Sequence, residues 1–101
     1  MQNTLGGGTV RYVIFKEDDT WYGAALEFNI VESGNNPEEV IFLLNEAIAG
    51  YVETAQKIGK KAESTLNQEP DPEYEHMWQQ GQHMPLPPAI FEVGTRNLVV
   101  A

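Results

Sequence analysis

Residues 36–59 read NPEEVIFLLNEAIAGYVETAQKIG, and this stretch decides the fold class. Asn36 is a favoured N-cap, Pro37 suits the first helical position, and Glu38 and Glu39 sit where a helix dipole favours negative charge. Glu39 lies three residues past the cap, the spacing of a capping box with Asn in place of Ser or Thr. Val40, Leu44, Ala47, Ile48, Tyr51, Ala55 and Ile58 then recur at three- and four-residue steps, and Ile41, Leu43 and Val52 widen the stripe. Lys57, Lys60 and Lys61 gather at the far end, where cations favour the carbonyl pole. These cues predict one long amphipathic helix from Pro37 to about Gly59. Its apolar stripe needs a surface to cover.

That surface is written upstream. TVRYVIFK at residues 9–16 is rich in β-branched and aromatic residues, EDDT forms a polar turn, and WYGAALEF and NIVES continue the extended pattern to Ser33. In the first strand Val10, Tyr12 and Ile14 face one side while Arg11, Val13 and Phe15 face the other. Both sets are mostly apolar, so the strand is expected at the centre of its sheet or covered on both faces. Trp21 and Tyr22 open the second strand with opposite orientations. The link near residues 27–29 has neither Gly nor Pro, which leaves the boundary of strands two and three open.

Downstream of the helix the composition changes. Residues 62–95 contain six acids (Glu63, Glu69, Asp71, Glu73, Glu75 and Glu92) and no Lys or Arg. A short second helix is expected there, capped by Asp71, opened by Pro72 and ended by Gly81. Tyr74, Met77 and Trp78 share one face of it. MPLPP interrupts regular structure. AIFEV and NLVVA, separated by Gly94-Thr95-Arg96, read as one bent strand or a tight hairpin. The expected fold is α+β, a small antiparallel sheet packed on one long helix in the order β-β-β-α-(α)-β. Residues 10–101 form a single domain, and residues 1–9, with three consecutive glycines, form a flexible lead-in.

The chain has 101 residues, 15 acidic and 6 basic side chains, a net charge of −9 and no cysteine. One domain suits that length. The missing cysteines exclude disulfides, thiolate nucleophiles and iron–sulfur ligation. The charge argues against direct nucleic-acid binding, which needs Lys and Arg on the phosphates. No stretch reaches a membrane span, and the first ten residues lack the features of a signal peptide, so a cytoplasmic location is expected.

Catalytic signatures are missing: there is no P-loop, G-x-G-x-x-G, H-E-x-x-H or G-x-S-x-G. Gly6-Gly7-Gly8 has neither a strand before it nor the Lys-Ser/Thr that a phosphate cradle needs. His76 and His83 are the only histidines, and Gly81 separates them, so ordinary surface histidines are the expectation rather than a metal site. Glu17-Asp18-Asp19 reads as a solvated hairpin turn, which offers little desolvation to tune a catalytic carboxylate. No catalytic residue, cofactor or metal is assigned. Exposed aromatics ringed by acids suit a protein-binding patch, placed on Glu63, Glu69, Asp71, Glu73, Tyr74, Glu75 and Trp78.

One combination is more specific. Tyr12 and Phe15 in the first strand, Asp18-Asp19 in the turn and Tyr22 in the second strand are followed by G-x-x-P-E-E at Gly34, Pro37, Glu38 and Glu39. N-E-A-I-x-x-Y-x-E then follows at Asn45-Glu46-Ala47-Ile48, Tyr51 and Glu53. Between residues 10 and 55 the chain thus resembles the HicB-like antitoxin family. The resemblance implies a truncated RNase H-like fold and a non-enzymatic antitoxin, or stand-alone relative, that binds and neutralises a small basic RNA-cleaving toxin of the HicA type. The link LEFNIVESG is about two residues shorter than in the family and lacks its Pro and Cys. The C-terminal DNA-binding domain of many members has no counterpart, so DNA binding is not carried over. The alternative is a dimeric protein-binding module with another partner. A homodimer is expected in either case, with NLVVA pairing across a two-fold axis.

Overall fold

The computed structural model describes residues 2–83 and 86–98. Four strands, β1 (Gly8–Glu17), β2 (Thr20–Ala25), β3 (Ile30–Gly34) and β4 (Ile90–Leu98), form one antiparallel sheet in the order β3-β2-β1-β4. Helix α1 (Pro37–Ile58) covers one face and helix α2 (Pro72–Gln80) the other. The fold is α+β, with one long helix on a small antiparallel sheet.

The alternation along β1 builds both layers. Val10 and Ile14 enter the core beneath α1, with Tyr12 packed against it, while Val13 and Phe15 enter the second core beneath α2. β1 is an inner strand, paired with β2 on one side and β4 on the other, which explains why both of its faces are apolar. The turn after β1 is tight: Glu17 pairs with Thr20, and Asp18 takes a left-handed φ of 51°. Asp tolerates that conformation better than most residues.

Asn29 performs the same service between β2 and β3. A 3-10 turn at Leu26–Phe28 ends at Asn29, whose φ of 53° redirects the chain into β3. The boundary that composition left open is therefore set by a left-handed Asn in place of a Gly.

The start of α1 follows the expected capping. Asn36 Oδ1 accepts from the Glu39 N–H at 2.8 Å, and Glu39 reaches back to the N–H of Asn35, one residue before the cap. The buried face consists of Val40, Leu44, Ile48, Val52 and Ala55. Ile58, expected in the stripe, is exposed, because α1 ends at Gly59 (φ 98°) and the core passes to the next segment. There a 3-10 segment, Lys60–Leu66, buries Ala62 and Leu66.

Gly23 lets α1 approach closely. A methyl group there would lie 2.7 Å from Val40 Cγ1 and 3.1 Å from Ile14 Cδ1. Gly94 performs a similar function in β4, since a methyl group would lie 2.8 Å from Tyr12 Oη. β4 is one continuous strand through Gly94-Thr95-Arg96, with a register shift opposite Ile14/Phe15, and not a hairpin. The last three residues of NLVVA, and Met84 and Pro85 of MPLPP, lie outside the described residues.

Within the described part of the lead-in expected at residues 1–9, strand and buried contacts begin earlier than expected. Gly8 and Thr9 already belong to β1, and Asn3 is 5% exposed. Asn3 Nδ2 donates to the Leu66 carbonyl at 2.8 Å, and its Oδ1 accepts from the Thr9 N–H at 2.7 Å. A buried amide whose donor and acceptor are both satisfied fixes this segment, an interaction that glycine content hides. Among the described residues, no helix is long and apolar enough to cross a membrane.

Candidate functional site

The acidic segment holds two kinds of carboxylate. Glu63 and Glu75 are used inside the molecule. Glu63 accepts from the Leu5 N–H at 3.1 Å, and Glu75 receives both Nη atoms of Arg11 at 2.8 and 2.7 Å. Arg11 also donates from Nε to Glu27 at 2.6 Å, and its guanidinium lies 4.9 Å from the centre of the Trp78 ring. Hydrogen bonding to Arg11 holds the Glu75 carboxyl below its ordinary range, while the bond to Glu75 raises the Arg11 guanidinium above its own. Asp71 serves partly as the α2 cap, accepting from the Glu73 N–H at 2.9 Å. Glu69, Asp71 and Glu73 are exposed.

The two aromatic anchors are half-buried. Tyr74, Met77 and Trp78 share the face of α2 that closes the second core, together with Tyr22 and Val93. Trp78 Nε1 donates to the Gly94 carbonyl at 3.2 Å, and the Tyr74 ring lies 5.9 Å from Phe15. Sequence placed seven residues in one patch; the structure divides them. Glu63, Glu75 and Trp78 hold elements together, whereas Glu69, Asp71, Glu73 and the edge of Tyr74 remain accessible.

What the sequence missed is a neighbour of that remnant. The β1–β2 turn comes beside the start of α2, so that Glu17 and Glu73 line the same hollow of about 200 Å3. Phe15, Met77, Pro87 and Ile90 supply apolar wall. Lys16 also lines the hollow, with its ammonium 5.6 Å from the centre of the Trp21 ring. The Tyr74 hydroxyl registers this arrangement. Burial raises its pKa first, and the charges of Glu73, Asp71 and Glu17 raise it further. The only available signal was the acid run at residues 17–19, which by itself reads as a solvated turn.

The arrangement is suited to a cation on a long apolar stem. Such a side chain can lay its methylenes along the hollow and leave its charge between carboxylates. His76 and His83 are both exposed, and among the described residues no three His, Asp or Glu side chains form a metal-holding group. Comparison with protein-family models, curated proteins and solved structures found no match to this chain.

Proposed function

We propose that this chain is a non-enzymatic HicB-like antitoxin, or a stand-alone relative, that binds and neutralises a small basic RNA-cleaving toxin of the HicA type in the cytoplasm. The observation that carries the reading is the apolar hollow between Glu17 and Glu73, with Asp71 and Tyr74 beside it. A Lys or Arg that the toxin uses on RNA phosphates fits this site by its stem and by its charge. The partial RNase H-like label, the toxin and the site belong to one reading, supported by the motifs of residues 10–55 and by the exposed acids.

Inhibition then follows from competition. Carboxylates at the rim occupy the toxin cations that RNA phosphates need, and the net charge of −9 speeds the encounter with a basic partner. The test is co-expression with any small basic protein encoded beside this chain's gene. Co-purification of the two, with loss of RNA cleavage, supports the proposal. Separate elution with cleavage undiminished overturns it.

A further inference from the structure

β4 is an edge strand of nine residues, and among the described residues no further strand pairs with its outer side. The other edge, β3, has only five residues. An uncapped edge of this length is a template for another strand. The backbone directions along it follow from two bonds. The Arg11 N–H goes to Glu27 Oε1, on the β2 side, while the Lys16 N–H goes to the Ala89 carbonyl, on the β4 side. Even-numbered residues of β1 therefore turn toward β4. Their partners Glu92, Gly94 and Arg96 turn back toward β1, which leaves the backbone groups of Val93, Thr95 and Asn97 directed outward.

The side chains alternate the other way. Glu92 and Arg96 stand opposite Ile14 and Val10, so both lie on the α1 face. Among the described residues Arg96 makes no ion pair, and the Glu92 carboxylate receives the Tyr12 hydroxyl but no cation. Four residues along a strand separate their Cα atoms by about 13 Å, and no ion pair joins the two within one copy among the described residues. A two-fold axis at Gly94 changes this. It sets Glu92 of each copy directly opposite Arg96 of the other, at about 5 Å between Cβ atoms.

We propose that the outer edge of β4 pairs antiparallel with the β4 of a second copy, centred on Gly94 and fixed by two symmetric Glu92–Arg96 ion pairs. The result is one continuous eight-stranded sheet. Charge complementarity selects the occupant, because the same two residues supply both signs in one register. Gly94 brings no side chain to the axis. The neighbouring groove between α1 and β4, with hollows of about 300 and 220 Å3 that share Asn45 and Arg96, stays open on the same face. Gln56 Nε2 lies there buried and without a hydrogen-bond partner among the described residues. This surface is on the opposite sheet face from the Glu17–Glu73 hollow, and its pairing does not depend on the antitoxin reading.

Sedimentation velocity on the full chain tests the proposal from about 1 to 100 μM. The wild type is expected as a dimer. Arg96→Glu places like charges opposite at both positions and is expected to weaken association at least about tenfold. The double variant Glu92→Arg/Arg96→Glu restores opposite charges and recovers the dimer. A wild type that stays monomeric, a dimer indifferent to Arg96→Glu, or a folded double variant that stays monomeric overturns the register. If circular dichroism shows the double variant unfolded, the wild type decides alone. Association that weakens between about 0.05 and 0.5 M NaCl supports the ion pairs, and salt-independent association overturns them.

Discussion

Replacing Arg11 with methionine removes the only cation among the described residues that pairs with two carboxylates at once. The side chain joins β1 to the 3-10 turn through Glu27 and to α2 through Glu75, with bonds of 2.6 to 2.8 Å. The three side chains are 24%, 19% and 35% exposed, so water screens part of the attraction. A fully buried charge-assisted bond contributes about 1.5–3 kcal/mol; the screened set here is assigned about 2–3 kcal/mol in total. Methionine keeps an apolar stem near Trp78 but leaves two acids unpaired. The expected loss lowers the melting temperature by roughly 10–20 °C for a domain of this size. Glu75→Gln removes one charge without exposing a partner and is expected to cost about 1 kcal/mol. Because Arg11 lowers the Glu75 pKa in the folded state, the carboxylate's contribution is present above its unfolded pKa and is lost as pH falls through the folded one. The gap between wild type and Glu75→Gln is thus full near pH 7 and shrinks below about pH 4. Urea unfolding followed by circular dichroism and tryptophan fluorescence measures both quantities. An Arg11→Met variant within about 0.5 kcal/mol of wild type, or a gap that widens on acidification, would show that Arg11 does not tie β1 to α2 in this way.

Two glycines should respond in opposite directions to alanine. Gly23→Ala forces a methyl group against Val40 and is expected to cost about 1–3 kcal/mol, whereas Gly50→Ala, with nothing within 4 Å, gains up to about 1 kcal/mol of helix propensity; thermal melts separate them. Asn3→Ala leaves the buried Leu66 carbonyl and Thr9 N–H without their partner and should destabilise by about 2–3 kcal/mol in urea titrations. The Tyr12 hydroxyl is pushed up to about 12, by burial first and then by its bond to Glu92. Its protonated form is favoured by folding, so that contribution is present below pH 10 and lost as pH rises toward 12; Tyr12→Phe should flatten the alkaline decline of stability.

Much of this fold was legible because its signals are local. The Asn36 cap, the periodicity of α1 and the alternation along β1 each involve residues close in sequence, and each element formed within a residue or two of its expected bounds. The Asp71–Gly81 helix was legible for the same reason. Ile58 was misplaced because periodicity continues to the helix end while the core does not. Asn3 was missed because its burial depends on a contact about 60 residues away, with the 3-10 segment after α1. Ala62 and Leu66 were missed because that segment folds back onto the core after the helical periodicity ends. The site was only half legible. Composition located the acids, but the partition between structural Glu75 and exposed Glu73 is set by Arg11, which lies 64 residues upstream of Glu75. The hollow shared by Glu17 and Glu73 depends on how α2 docks, which no local pattern encodes.

The most direct test of the proposed function is a titration of any small basic protein encoded beside this chain's gene with wild type and with Glu17→Lys/Glu73→Lys. Both positions are exposed, so the paired variant keeps the fold while reversing the rim. Wild-type binding is expected to weaken with salt, and the variant to lose at least about tenfold in affinity. No binding by the wild type, or equal affinity for wild type and variant, contradicts it.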